Sequence, residues 1–248
     1  MSKHSKWAKI KRKKEATDNK KGAVFTKLTN NITMAVKEGG GGDPSSNFKL
    51  RLCIDAARAQ NVPKENIERA IERGLGKAGG VTLEQLLFEG YGPNTIAVIV
   101  EATTDSRNRT VSEVKHLFSV GGGSMAGTGA VSWQFEKKGV IRIPLTPTLS
   151  PEGRGNFAEL ELALIDAGAD DIQQDDDIIT IFTAPENLQH LKEAVESLKL
   201  TVDEAGIEWI AKESITVSDP QVQEQVAAFL GTLEDHDDVT AVYTNAAL

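Results

Sequence analysis

The spacing of apolar residues changes abruptly near residue 77. Before it they recur three and four apart; after it they alternate or gather into short dense runs. A helix repeats every 3.6 residues and a strand every two, so this switch of period requires an all-helical part followed by sheet-containing parts. The length of 248 residues exceeds what one ordinary core needs, which agrees with two or three domains.

In the helical part, Val24, Phe25, Leu28, Ile32, Ala35 and Val36 share one face, and Gly39-Gly40-Gly41-Gly42 terminates that helix. A second helix is expected from Phe48 to Gln60 with Leu50, Cys53, Ala56 and Ala57 inward. Asn61-Val62-Pro63 then opens a third with Ile67, Ala70 and Ile71 inward. Upstream, Ser5 can cap a short basic helix in which Trp7 and Ile10 share a face, and Trp7 reads as an anchor to the domain.

Beyond residue 77, strands are expected over 86–91, 96–102, 130–135, 140–143, 170–174, 178–183, 207–210 and 239–244. Helices are expected over 108–120, 157–167, 186–198 and 221–233. The run Ile96 to Ala102 is dense enough for a central strand. The fold class is therefore α+β and multidomain: an N-terminal helical bundle, then two α/β layers with mainly antiparallel sheets. The stretch from Pro144 to Gly155, with Pro147 and Pro151, has no usable period and reads as a surface loop.

Charge is segregated in the same way as period. Residues 1–76 hold 17 Lys+Arg against 8 Asp+Glu, a net +9, while residues 77–248 hold 11 against 28, a net −17. Together they give the chain's −8. A basic helical part attracts polyanions through counterion release, and an acidic remainder resists non-specific condensation onto them. The partner expected is nucleic acid, either ribosomal RNA or duplex DNA, with the ribosome as its setting in the first case.

Several function classes find no support. No run approaches the roughly 20 apolar residues of a membrane span, and no apolar stretch follows the basic start, so a cytoplasmic or organelle-matrix location is expected, with no membrane partner. Cys53 is the single cysteine, which excludes an internal disulfide and a cysteine-built zinc site. The glycines at 121–123 follow a helix and lead toward a strand, the reverse of the dinucleotide-binding context, and read as a flexible turn. No Walker-type loop and no His-Glu-x-x-His pair occurs, and His4, His116, His190 and His236 are scattered. Asp175-Asp176-Asp177 and Asp235-His236-Asp237-Asp238 read as solvated turns. No catalytic residue, metal site or cofactor is expected, and the chain reads as a non-enzyme.

The ordered motifs resemble one family. They are His4-Ser5-Lys6-Trp7, Lys20 to Leu28, the glycine stop, Pro63 to Ile71, Tyr91-Gly92-Pro93 and Thr104 to Thr110. Together they are similar to the YebC/PmpR family over nearly the whole chain. That resemblance implies three domains, an all-helical one and two α/β ones with the third inserted into the second. In this chain the domains would be 1–78, 79–135 plus 205–248, and the insert 136–204. It also implies one of two roles, DNA-binding transcriptional regulation or translational activation on the ribosome. The Pro-rich stretch departs from the family's shorter link.

The residues expected to face nucleic acid are cations of the basic part. In the N-terminal segment they are Lys3, Lys6, Lys9, Lys11, Arg12, Lys13, Lys14, Lys20, Lys21 and Lys27. On the second and third helices they are Arg51, Arg58, Lys64, Arg69 and Arg73. Arg107 and Arg109, at a strand-to-helix junction, can hold a phosphate or form ion pairs, and the resemblance favours the phosphate. The expected action is phosphate engagement without strong base readout, as a translation factor ahead of a promoter-binding regulator, with a protein-only scaffold third. The sequence leaves the oligomeric state open.

Overall fold

The computed structural model describes residues 21–77, 82–144, 157–175 and 178–248. The expected helix around Trp7 and the Pro-rich stretch after Pro144 lie outside the described residues. The chain divides into two compact units, one spanning Glu136–Ile210 and the other holding the described residues up to Phe135 together with Ala211–Leu248.

Three helices open the larger unit: α1 (Lys21–Glu38), α2 (Phe48–Ala59) and α3 (Lys64–Gly74). Ile32, Ala35, Val36, Leu50, Ile54, Ala57, Ile67 and Ala70 form their buried core, with Phe25, Leu28, Cys53 and Ile71 packed at its margin. The expected inward face of α2 needs one correction. Ala56 is exposed and Ile54 is buried, because the face turned to α1 runs through 50, 54 and 57. Cys53 packs half-buried, and burial pushes its thiol up to about 11, the setting of an inert core cysteine.

The glycine stop has a specific physical cause. Asn47 is buried; its side chain accepts from the Leu50 N–H as the cap of α2 and donates to the carbonyls of Ala35 and Gly41. One amide thus ties the end of α1, the loop and the start of α2. A Cβ at Gly39 would lie 2.4 Å from the Asn47 amide, so a side chain there would unseat it.

α1 and α3 pack closely. The Thr33 hydroxyl donates to the Ala70 carbonyl at 3.0 Å, and a Cβ at Gly74 would meet Val36 at 2.6 Å. Two lysines of α1 then fix the bundle to the sheet layer: Lys27 Nζ donates to the Glu234 carbonyl and Lys37 Nζ to the Leu83 carbonyl.

The sheet of this unit contains β1 (Glu84–Tyr91), β2 (Ala97–Thr104), β3 (Ser124–Ala126) and β9 (Val239–Thr244), in the order β3-β1-β2-β9. Every pairing is antiparallel, with Phe88 opposite Val100 and Val100 opposite Val242. β2 is central and almost wholly buried, as its dense apolar run predicts. Helices α4 (Arg107–Val120) and α7 (Pro220–Glu234) cover one face, with Phe118 and Phe229 meeting edge to face at 5.4 Å. β8 (Ile215–Thr216) and β10 (Ala246–Ala247) add a short parallel pair. Beside them, Asn245 accepts the Ala97 N–H through its side chain.

The unit Glu136–Ile210 carries a second four-stranded sheet, β5 (Asp171–Asp175), β6 (Ile178–Thr183), β4 (Phe135–Pro144) and β7 (Glu204–Ala211), in that order. Helices α5 (Phe157–Asp166) and α6 (Leu188–Ser197) belong to it and contribute the buried Leu164, Leu188, Leu191 and Val195. β7 corrects one boundary: residues 205–210, expected in the discontinuous domain, pair in this sheet instead.

The strand expected over 130–135 is also corrected. Residues 132–134 form a 3-10 turn and the strand starts at Phe135. The cause is Glu89, only 3% exposed although it alternates with the inward Leu86 and Phe88 on β1. Its carboxylate accepts the N–H groups of Gly129, Val131 and Ser132 at 2.8 Å each, taking donors a strand would have used. Burial alone would push this carboxyl up, but those three donors, with the Ser132 side chain, hold it below the usual range.

Candidate nucleic-acid interface

The structure sorts the expected cations into three groups. Lys3, Lys6, Lys9, Lys11, Arg12, Lys13, Lys14 and Lys20 lie outside the described residues, as does the side chain of Lys21.

A second group is committed to the fold. Lys27 is held on the Glu234 carbonyl at the C-terminal end of α7, where a cation also complements the helix dipole. Arg51 lies over the Phe48 ring at 5.3 Å, with its Nε buried. Arg107 pairs with Glu84 at 3.3 Å. Arg109 reaches Asp238 at 2.8 Å, Asp105 at 3.2 Å and Glu113 at 3.9 Å. Hydrogen bonding to Asp238 heads the causes that raise the Arg109 pKa. At this junction, where a phosphate is expected, both arginines face carboxylates across exposed ion pairs.

The reading of 235–238 as a solvated turn holds for the exposed Asp235 and Asp237 and is corrected at His236 and Asp238, which are half-buried in this cluster. Asp238 also accepts from the Thr110 hydroxyl at 2.6 Å. Burial pushes the Asp238 carboxyl up, and Arg109 and Thr110 outweigh it, leaving it below its ordinary value. Glu113, His236 and Asp238 offer three ligand atoms within 4.8 Å of one another. However, His236 Nδ1 accepts the Asp238 N–H and Nε2 faces Glu113 at 3.0 Å, so both ring nitrogens are engaged, and Arg109 supplies the positive charge. The group is an ion-pair network joining α4 to the turn before β9.

The third group faces outward on α2 and α3. Arg58 and Arg69 are exposed and Arg73 is half-buried, and none of the three makes a hydrogen bond or ion pair among the described residues. Lys64 has only an exposed i,i+4 contact to Glu68 at 3.5 Å, worth a few tenths of a kcal/mol (about 0.3–0.5). Glu65 precedes Arg69 by four residues, the favoured orientation for a helix pair, yet no such pair forms. Arg69 and Arg73 stand four apart and line one groove with Phe25, Thr26 and Thr29 of α1 and Asn66 of α3, with a volume of about 200 Å³. Sequence reasoning found these arginines through charge alone; it missed the groove, which depends on how α1 lies against α3.

No helix among the described residues is long and apolar enough to cross a membrane.

Comparison with known proteins covers both units. A family model described as the TACO1/YebC protein N-terminal domain matches residues 5–77, and one described as the TACO1/YebC second and third domain matches residues 83–246. The chain is 46% identical over 248 residues to a "Probable transcriptional regulatory protein" of Caldanaerobacter subterraneus subsp. tengcongensis, covering 100% of this chain and 99% of the relative. It is 47% identical over 245 residues to a protein so named from Thermotoga maritima, covering 99% of this chain and 93% of the relative. The crystal structure of a conserved hypothetical protein from Aquifex aeolicus superimposes with a TM-score of 0.83 at 39% identity, over 92% of this chain and 91% of that one. With the helical bundle and both sheets matched in sequence, the chain belongs to the TACO1/YebC family.

Proposed function

We propose that this chain is a non-enzymatic, cytoplasmic regulator of gene expression that binds RNA on the ribosome, as a translation factor, through its basic helical part. The observation that carries the reading is the +9 charge of residues 1–76 set against −17 over the remainder. Arg58, Arg69 and Arg73, which meet no carboxylate among the described residues, strengthen it, since such a cation is available to a phosphate.

A second reading, a DNA-binding transcriptional regulator, is favoured by the names of the relatives. A protein-only scaffold would leave the segregated cations without a task. Sedimentation of lysate through a sucrose gradient at low salt, with and without nuclease, separates these readings. Co-migration with ribosomes supports the first; a DNA-associated pool with no ribosomal peak supports the second. Replacing Lys11, Arg12, Lys13 and Lys14 with Ala is expected to weaken nucleic-acid binding and flatten its salt dependence, and an unchanged affinity and slope would overturn the electrostatic basis of both.

A further inference from the structure

We infer that the groove between α1 and α3 takes one unpaired nucleotide, its phosphate between Arg69 and Arg73 and its base against Phe25. The inference rests on the nucleic-acid reading above and adds what part of the polymer this face recognises.

Charge is the first argument. Two arginines one helical turn apart repel each other and cost a helix a few tenths of a kcal/mol (about 0.2–0.5) unless an anion sits between them. Among the described residues no carboxylate does, although Glu65 and Glu72 lie on the same helix. Two guanidinium groups opening on one groove match the forked hydrogen bonding of a phosphate.

The remaining lining argues for more than a phosphate. Phe25 adds an aromatic face, and the Asn66 side-chain amide carries both a donor and an acceptor with no hydrogen bond among the described residues. The Thr26 and Thr29 hydroxyls donate to the carbonyls of Gly22 and Thr26, which leaves their oxygens as acceptors for base or sugar donors. A volume of about 200 Å³ is below the roughly 300 Å³ at which drug-sized pockets begin, a size that suits one ring system better than a base pair. Stacking needs an open base face, which a duplex interior does not offer.

The test uses the full chain and fluorescence anisotropy with three labelled probes: an RNA hairpin with an unpaired loop, a fully paired RNA duplex of equal length, and the DNA counterpart of the hairpin. Phe25→Leu keeps an apolar side chain and removes the aromatic face; the pair Arg69→Gln/Arg73→Gln, one exposed and one half-buried and neither in the buried core, serves should Phe25→Leu fail to fold. Arg58→Gln/Lys64→Gln removes charge elsewhere on the bundle. The expected result is hairpin binding tighter than duplex binding, lost about 5- to 100-fold in Phe25→Leu with duplex affinity unchanged. In the Arg69/Arg73 variant the preference for the hairpin narrows more than in the Arg58/Lys64 variant. Equal loss on the RNA and DNA hairpins assigns the groove to any unpaired nucleotide, and loss on RNA alone assigns it to one recognised through its 2′-hydroxyl. Equal binding of hairpin and duplex, untouched by either groove variant while Arg58/Lys64 still lowers affinity, would overturn the groove and spare the nucleic-acid reading. Absence of salt-dependent binding to all three probes would overturn both.

Discussion

Arginine serves opposite ends in the two units. In the unit 136–210, Arg142 is nearly buried between Glu204 and Glu208, with Nη2 donating to Glu208 at 2.8 Å and Nη1 to Glu204 at 3.1 Å. Burial alone would lower its pKa, and the two carboxylates reverse that and raise it. On α2 and α3, Arg58, Arg69 and Arg73 meet no carboxylate among the described residues. The sheet arginine is a structural tie whose value lies in its partners, and the helix arginines leave that capacity for something outside the chain. Overall charge does not distinguish them, because the cation in the acidic unit is the one already neutralised.

The contrast breaks if the sheet arginine proves dispensable. Arg142→Met removes the guanidinium that faces the half-buried Glu208, and is expected to destabilise its unit by about 3 kcal/mol in urea unfolding, with nucleic-acid affinity unchanged. Glu89→Gln is next in size. It removes the charge and one acceptor from three backbone donors and should cost about 2 kcal/mol. The sign with pH is fixed by the depressed carboxyl: Glu89 contributes fully above its ordinary value of 4.5, and the contribution is lost as pH falls through its lower folded value. The stability gap between wild type and Glu89→Gln should therefore narrow in acid, read by unfolding curves collected across that range.

Arg109→Gln sharpens the comparison. Its side chain is 47% exposed, so loss of its ion pairs should cost less than either change above and shrink at high salt. The triple change Arg58→Gln, Arg69→Gln and Arg73→Gln should move stability least, within about 0.5 kcal/mol. It should instead lower the log-log salt slope for single-stranded nucleic acid by about 2. A large stability loss here, or an unchanged slope, would place these arginines with Arg142.

Much of the fold was legible because periodicity is local. β6 at 178–183 and β9 at 239–244 match their expected bounds, since each is a β-branched run closed by turn residues. β3, β8 and β10 were not legible, being two or three residues long and defined by partners such as Ala246 against Ile215. The segment 130–134 carried a strand-like pattern, and Glu89, some 40 positions away, redirected its donors. The candidate site divides in the same way. Segregated charge pointed to the bundle, but nothing local to Arg109 announces Asp238, 129 positions distant, and nothing local to Arg69 announces Phe25 on another helix. Committed and available cations look alike until the chain is folded.

The place of β9 beside β2 has a consequence for the order in which the protein is made. The bundle 21–77 closes on local contacts, and the unit 136–210 lies within a single continuous stretch. The first sheet, by contrast, is finished only when β9 pairs with β2 and Asn245 receives the Ala97 N–H across 148 positions. During synthesis both other parts can be complete while β2, apolar on both faces, still shows an open edge. The strand that covers this edge, β9, is thus made after both of the other parts it must wait for.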